Sequence, residues 1–155
     1  MSHHYPALLV IVPLLCALFI SIAGWLKRRL CFPIAVAALS VSAIASMGLL
    51  WRVLKEGVIL YRLGGWEPPW GIAYRVDHLN ALVLAVVAVV ALLNLIATQR
   101  EGKEAFSEKI GAFYTLYILL VTGLFGIVVT GDAFNLYVLL EITSLTSYGL
   151  VAMGE

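Results

Sequence analysis

The stretch that decides the fold is residues 133–154, AFNLYVLLEITSLTSYGLVAMG, in which Glu141 is the only charged residue. A helix rises about 1.5 Å per residue, so this stretch is long enough to cross a hydrocarbon layer about 30 Å thick. Glu141 would then lie roughly 13 Å from the Asp132 end, deep inside that layer. An acidic side chain there costs about 2.5 to 3.5 kcal/mol, and such residues mark ion or proton pathways. The stretch therefore predicts a membrane helix with a functional carboxyl group.

The composition of the whole chain indicates the same class of protein. Of its 155 residues, 63% are apolar and 12% are charged, and the mean hydropathy is +1.02. These values lie well outside the usage of soluble globular domains. The formal net charge is only +1 and the basic residues are scattered, so the chain presents no electrostatic surface for nucleic acid. We therefore predict an integral membrane protein that does not bind nucleic acid.

Charged residues divide the chain into five apolar spans, each about the 20 residues that a crossing helix needs. The predicted spans are residues 5–26, 31–51, 78–99, 110–131 and 133–154. Between the second and third spans, Val58 to Leu63 and Gly71 to Val76 are apolar and aromatic and are separated by Gly-Gly and Pro-Pro pairs, which favours a short outer β-hairpin. The predicted fold is an all-α integral membrane protein with five transmembrane helices and this hairpin, in a single membrane domain over residues 1–155.

The basic residues predict the orientation of the chain. Lys27, Arg28 and Arg29 follow the first span, so the positive-inside rule places that end in the cytoplasm and the N-terminus outside. Five spans then leave the C-terminus in the cytoplasm. The predicted location is the cell (inner) membrane, as a multi-pass protein. The short Gly131-Asp132 connection becomes an outer turn in which the Asp132 side chain caps the fifth helix.

Small and polar side chains inside the spans predict contacts between helices. Small residues recur every four positions on the second and fourth spans, a pattern that lets helix backbones approach closely. They are Ala38, Ser42 and Ser46 on the second span and Thr122, Gly126 and Thr130 on the fourth. We also predict that Asn80 and Asn94 on the third span form hydrogen bonds to neighbouring helices.

Polar residues share one predicted face of the fifth helix with Glu141, at spacings of four, three and four. They are Tyr137, Glu141, Ser144 and Tyr148. Thr143 and Ser147 form an adjoining pair at i and i+4. Hydroxyl groups on both sides of a carboxyl group can order water and conduct protons, which favours a transport role. In the alternative interpretation, Glu141 stays neutral and joins two helices through a hydrogen bond.

Other chemistry has little support in the sequence. There is no iron–sulfur cysteine pattern, no phosphate-binding glycine loop and no histidine pair suited to haem, so we predict no cofactor and no metal site. His78 stands alone at the start of the third span. A lone histidine there is usually a cap or an interface residue, and a proton relay is its alternative role.

Two sequence patterns resemble a known family. Residues 131–142, GDAFNLYVLLEI, continuing to SYGL at residues 147–150, resemble the fifth transmembrane helix of the Mrp-type cation/proton antiporter large subunits. Residues 65–72, GWEPPWGI, followed by Asp77, resemble the pattern that precedes the third helix of those subunits. The resemblance covers essentially the whole chain, as helices one to five of the N-terminal part. It extends to the antiporter-like proton-pumping subunits of respiratory complex I and of membrane-bound hydrogenases.

The resemblance implies a membrane subunit of a proton-translocating or cation/proton antiport complex. Glu141 would be the intramembrane proton-transfer group, paired with a lysine on a later helix. Since this chain has no lysine inside any predicted span, we expect a second chain or a C-terminal continuation to supply it. The family's large subunits are built from inverted five-helix repeats, of which this chain would hold only the beginning.

The partners that the resemblance implies are the lipid bilayer, other membrane subunits of an antiporter or respiratory-type complex, and protons, with sodium as a second ion. The chain is not expected to be catalytic by itself, although related subunits belong to redox-driven, ion-translocating oxidoreductases. Two alternatives stay open. One is a small homodimeric proton-coupled exchanger, and the other is a non-transporting assembly or scaffold subunit.

Overall fold

The computed structural model describes residues 5–66, 71–99 and 109–154. Within them, five helices are long and apolar enough to cross a membrane. They are α1 (Tyr5–Leu26), α2 (Cys31–Glu56), α3 (His78–Ala97), α4 (Ile110–Val129) and α5 (Ala133–Met153). A short 3-10 turn, Arg28–Leu30, joins α1 to α2. The predicted all-α membrane fold with five transmembrane helices is confirmed.

Helix α2 continues past its predicted end at Trp51. The added turn is stabilised by an ion pair at i and i+4, with Arg52 Nη2 3.1 Å from Glu56 Oε2. The ammonium group of Lys55 also lies 4.6 Å from the centre of the Trp51 ring. The helix ends at Gly57, whose φ of 82° suits glycine. The charged residues therefore end the apolar span at Trp51, but the helix itself continues to Glu56.

The predicted hairpin is present as two short antiparallel strands, β1 (Ile59–Arg62) and β2 (Ala73–Val76). Their register pairs Ile59 with Val76 and Arg62 with Ala73. A 3-10 turn follows β1, and both Gly64 and Gly65 in it have positive φ values, 68° and 78°. The predicted Pro68-Pro69 turn lies outside the described residues.

Helices α1 to α4 form a bundle. Helix α1 packs between α2 and α4, while α3 packs against both α2 and α4. The core contains large, fully buried side chains from each helix, among them Leu9, Leu39, Leu84 and Phe125. The small residues of the second span, Ala38, Ser42 and Ser46, are all buried, as their predicted role in helix packing requires.

One of the two predicted interhelical asparagines occupies such a position. The Tyr117 hydroxyl on α4 donates a hydrogen bond to the Ala91 carbonyl oxygen at 2.8 Å and lies 3.4 Å from Asn94 Oδ1, so Asn94 takes part in the contact between α3 and α4. The prediction for Asn80 is wrong. Its side-chain amide donates to the Arg75 carbonyl oxygen at 3.0 Å, because the first turn of α3 directly follows β2.

Candidate functional site

The turn before α5 is attached to the hairpin. Helix α4 ends at Val129, and the next residue, Thr130, forms a β-bridge with Tyr74 of β2. The Gly131 amide donates a hydrogen bond to the Ala73 carbonyl oxygen at 2.8 Å. The start of α5 is thus fixed to β2 by backbone hydrogen bonding as well as by the three-residue connection to α4.

The Asp132 side chain caps α5, as predicted. Its two carboxylate oxygens accept hydrogen bonds from the backbone amides of Phe134 at 3.3 Å and Asn135 at 3.2 Å. The Asn135 side-chain amide in turn donates to the Thr130 hydroxyl oxygen at 2.9 Å. These contacts satisfy amides that would otherwise lack partners at a helix N-terminus and define where α5 begins.

Helix α5 packs chiefly against α4, through one narrow face. On this face Leu139 is 6% exposed and Thr146 is 5% exposed. Two glycines of α4 allow the close approach. A Cβ atom placed on Gly126 would lie 2.8 Å from Leu139 Cδ1 and 3.1 Å from Leu139 Cγ, and one placed on Gly123 would meet the Thr143 hydroxyl. The contact therefore depends on the absence of side chains at these two positions.

The Glu141 side chain lies on the opposite face of α5. Helix geometry places Glu141 about 200° around the axis from Leu139, because an α-helix has about 3.6 residues per turn. Glu141 is exposed, and so are Tyr137 at 63% and Tyr148 at 70%, while Ser144 is half-buried. The four residues predicted to share a face therefore lie along the side of α5 that does not contact α4, and they are called here the Glu141 face.

Thr143 and Ser147 do not extend this face equally. The Thr143 hydroxyl donates to the Leu139 carbonyl oxygen at 2.8 Å, and the residue packs against Gly123 in the contact with α4. Ser147 is half-buried beside the Glu141 face and donates to the Ser144 carbonyl oxygen at 2.8 Å. Only one of these two predicted hydroxyls is therefore near the carboxyl face.

The structure does not bring His78 to Glu141. His78 is exposed at the hairpin end of α3, and that helix packs against α2 and α4 rather than α5. A relay between the two residues would need groups from outside this part of the chain.

Among the described residues, Glu141 has no hydrogen-bond or ion-pair partner. The lysines in the described ranges, Lys27, Lys55 and Lys109, all stand at helix ends. In the same ranges, no three His, Cys, Asp or Glu side chains are grouped in a way that could hold a metal ion. A carboxyl group in the middle of a membrane-length helix thus faces away from its own bundle.

Two features of the site had no clear sequence signal. The hydrogen bond between Gly131 and Ala73 joins segments that are far apart in the chain, and nothing local in either segment marks it. The contact between Gly126 and Leu139 could be predicted only in part. The small residues on α4 indicated a close helix contact, but they did not show which helix or residue would make it.

Comparison with known proteins places the whole chain among membrane-complex subunits. No protein-family model matches it. It is 37% identical over 159 aligned residues to the NADH-quinone oxidoreductase subunit N of Desulforudis audaxviator (strain MP104C), covering 99% of this chain and 31% of that protein. It is 29% identical over 153 aligned residues to a Na(+)/H(+) antiporter subunit of Bacillus subtilis (strain 168), covering 98% of this chain and 30% of that protein.

Solved structures show the same relationship. In the membrane-bound sulfane sulfur reductase, an archaeal respiratory membrane complex, one chain matches 93% of this chain with a TM-score of 0.84 and 32% identity, over 29% of its own length. In the Mrp complex from Dietzia sp. DQ12-45-1b, one chain matches 96% of this chain with a TM-score of 0.75 and 27% identity, over 27% of its own length. The chain thus spans about a third of the length of the proteins it matches. The predicted resemblance to part of the Mrp-type antiporter and complex I-like subunits is confirmed.

Proposed function

Because the chain is homologous to part of these antiporter and respiratory subunits, we propose that it is a membrane subunit of a proton-translocating or cation/proton antiport complex and that Glu141 is its proton-transfer group. One observation carries this proposal. Glu141 lies midway along α5, on the face away from α4, and has no partner among the described residues.

An uncovered Glu141 face would be unfavourable in a bilayer. A charged side chain at the centre of a spanning helix costs about 2.5 to 3.5 kcal/mol on insertion scales, so such groups normally face protein or a water-filled cavity. We therefore infer that further helices, from the rest of the same polypeptide or from another subunit, cover this face. Those helices would enclose the carboxyl group together with water.

A lysine on the covering helices would complete the proton-transfer site. While its ammonium group lies beside Glu141, the carboxylate is stabilised in the charged form. When the ammonium group moves away, the charge is no longer compensated and the carboxyl group takes up a proton. Moving one charge across the membrane is worth about 2.3 kcal/mol per 100 mV, so an ion gradient or a redox reaction elsewhere in the complex must drive the cycle.

The neighbouring hydroxyl groups would carry the proton to and from Glu141. The Tyr137 side chain stands about one turn before Glu141 along its face and the Tyr148 side chain about two turns after it, and both are exposed. Ser144 on the Glu141 face and Ser147 beside it are both half-buried and can hold water at the edge of the face. Thr143 is bound to its own helix in the contact with α4, so we assign it a packing role.

The test is Glu141→Gln in the complete complex. The substitution keeps the shape of the side chain and removes its ability to exchange a proton. Proton movement would be followed in inverted membrane vesicles with a pH-sensitive dye, with and without sodium, and assembly would be followed by native gel electrophoresis. We expect at least a tenfold loss of proton movement with assembly intact. The matched control is Glu56→Gln, because Glu56 is a carboxylate at the membrane-exit end of α2, paired with Arg52.

The outcomes separate the open alternatives. Full transport with Glu141→Gln would overturn the assignment and leave a non-transporting assembly subunit as the better interpretation. Transport by a homodimer of this chain in purified vesicles, with no other subunit present, would instead indicate a small proton-coupled exchanger. The predicted cytoplasmic side of Lys27, Arg28 and Arg29 has its own test: a cysteine in place of Arg29, in a variant without Cys16 and Cys31, should react with a membrane-impermeant thiol reagent in inverted vesicles and not in intact cells.

A further inference from the structure

We propose that a groove between α1 and the start of α2 binds an anionic phospholipid. The groove has a volume of about 490 Å³ and is apolar over most of its surface. Its walls come from the last turns of α1 and the first turns of α2, including Phe19, Ile22, Leu26 and Ile34, and Lys27 lies at its rim. Its shape and chemistry fit one acyl chain below a single negatively charged headgroup.

Lys27 is held at the rim by the turn between the helices. Its amide donates to the Ala23 carbonyl oxygen at 2.7 Å, and its own carbonyl oxygen accepts from the Leu30 amide at 3.0 Å. The Lys27 side chain is exposed. The backbone thus fixes where the Lys27 side chain starts, next to the groove, and the length of that side chain lets its ammonium group extend to the headgroup level.

Trp25 marks the level of the lipid headgroups beside Lys27. It is 95% exposed, and tryptophan side chains at helix ends prefer the interface between hydrocarbon and water. Phe19 lies about 9 Å from Trp25 and about 12 Å from Lys27 along α1, on the hydrocarbon side, because six and eight residues of helix separate them. The groove therefore runs from the headgroup level into the acyl-chain layer, as a bound phospholipid requires.

The charge at this end of the bundle selects an anionic headgroup. The described ionisable residues there, Lys27, Arg28, Arg29 and Lys109, are all basic. Arg28 and Lys109 also line a second groove of about 510 Å³ beside Trp25. By sequence, residues 100–108 add two basic and three acidic side chains, and Glu155 next to the end of α5 adds a fourth acidic one, so the balance remains positive. The described carboxylates apart from Glu141 belong to the hairpin end of the molecule, where α2 ends and α3 and α5 begin.

A preference of the groove for anionic over neutral phospholipid must come from the headgroup charge. The acyl chain cannot supply it, because a chain gains no hydrophobic free energy when it moves from the bilayer into an apolar groove. A lysine or arginine near an anionic membrane surface contributes about 1 kcal/mol, which corresponds to roughly a fivefold change in affinity. A neutral phospholipid would fill the same groove without this preference. The proposal does not depend on the role of Glu141.

The test uses photoactivatable phospholipids in vesicles of phosphatidylcholine that contain the complete complex. Two probes carry the same diazirine acyl chain, one with a phosphatidylglycerol headgroup and one with a phosphatidylcholine headgroup. Peptide mass spectrometry then measures labelling within residues 19–34. We expect the anionic probe to label this segment at least fivefold more than the neutral probe, and Lys27→Gln to remove most of that difference.

Two further variants sharpen the test. Lys55→Gln removes a lysine at the opposite end of α2 and should leave labelling unchanged. Ala23→Leu adds volume inside the groove without changing charge, and should lower labelling by both probes. Equal labelling by the two headgroups, or no effect of Lys27→Gln, would overturn the proposal and leave only ordinary surrounding lipid. Absence of labelling by either probe would overturn it as well, because it would show that another subunit fills the groove.

Discussion

Replacing Gly126 with alanine should loosen the contact between α5 and α4. The new Cβ atom would lie 2.8 Å from Leu139 Cδ1 and 3.1 Å from Leu139 Cγ, where carbon atoms in good contact are about 3.5 to 4.0 Å apart. Rotation about χ2 of Leu139 moves its methyl groups, whereas relief of the contact with Cγ needs a change of χ1 or a shift of a few tenths of an ångström between the helices. Overpacking of this kind costs about 1 to 3 kcal/mol.

The lost stability of the contact between α5 and α4 can be measured as increased exposure of a residue that this contact buries. Thr146 is 5% exposed and lies on the face of α5 that contacts α4, so a Thr146→Cys variant reports separation of the two helices through its rate of thiol labelling. Cys16 and Cys31 would be replaced by serine in every variant. A destabilisation of about 1 to 3 kcal/mol should raise the labelling rate roughly 5- to 150-fold where labelling follows a rapid opening equilibrium.

Two comparisons isolate the cause of this effect. Gly48→Ala places a Cβ atom 3.8 Å from Tyr5 Cε2, an ordinary contact, so labelling at Thr146→Cys should not change. Leu139→Ala in combination with Gly126→Ala removes the clash, and the double variant should be more stable than the sum of the two single effects. Unchanged labelling in Gly126→Ala, or strict additivity in the double variant, would refute the reasoning.

The other predictions concern the hairpin end. Asp132→Ala removes the cap of α5 and should cost about 1 kcal/mol, seen as faster hydrogen exchange of the amides of residues 133–136, whereas Asp132→Ser should retain most of the protection. Burial, with a smaller contribution from Tyr61, raises the pKa of the Tyr74 hydroxyl above its ordinary value of 10.0. The folded state therefore holds this proton more tightly, so its stabilising contribution is complete below about pH 10 and is lost as the pH rises through the folded-state pKa. In Tyr74→Phe, the melting temperature should therefore fall less steeply as the pH rises above about 10 than it does in the unchanged protein. An equally steep fall in both proteins would contradict this prediction.

The sequence predicted the parts of the fold that depend on local patterns. Apolar stretches of membrane length located the five helices, and the two strand-forming segments around Gly64 located the hairpin. The 3.6-residue period groups Tyr137 and Tyr148 with Glu141, and both tyrosines are exposed on α5. Asp132 was recognisable as a cap because capping involves only the residues next to it in the chain.

The sequence failed where a result depends on tertiary packing. Periodicity groups residues by helical face but does not reveal which face meets the neighbouring helix, so Thr143 was expected near the carboxyl group and lies instead against Gly123. Asn80 was expected between helices because it sits in an apolar span, yet β2 is close enough to accept its hydrogen bond. The lysine proposed to pair with Glu141 stays a prediction, because no residue in the described part of the chain takes that position.

The backbone hydrogen bond from Gly131 to Ala73 has a mechanical consequence. The bond holds the N-terminal end of α5 to β2, and the rest of the helix contacts the bundle mainly through one narrow face against α4. The N-terminal end is therefore the natural pivot point of α5. Glu141 lies roughly 13 Å from Asp132 along the axis of α5, and Gly154, at the other end of the helix, lies roughly 33 Å from Asp132. A pivot of about 5° at this point would displace the carboxyl-bearing residue by about 1 Å and the far end by about 3 Å. A pivot of this size would move Glu141 by a step comparable to the making or breaking of a hydrogen bond.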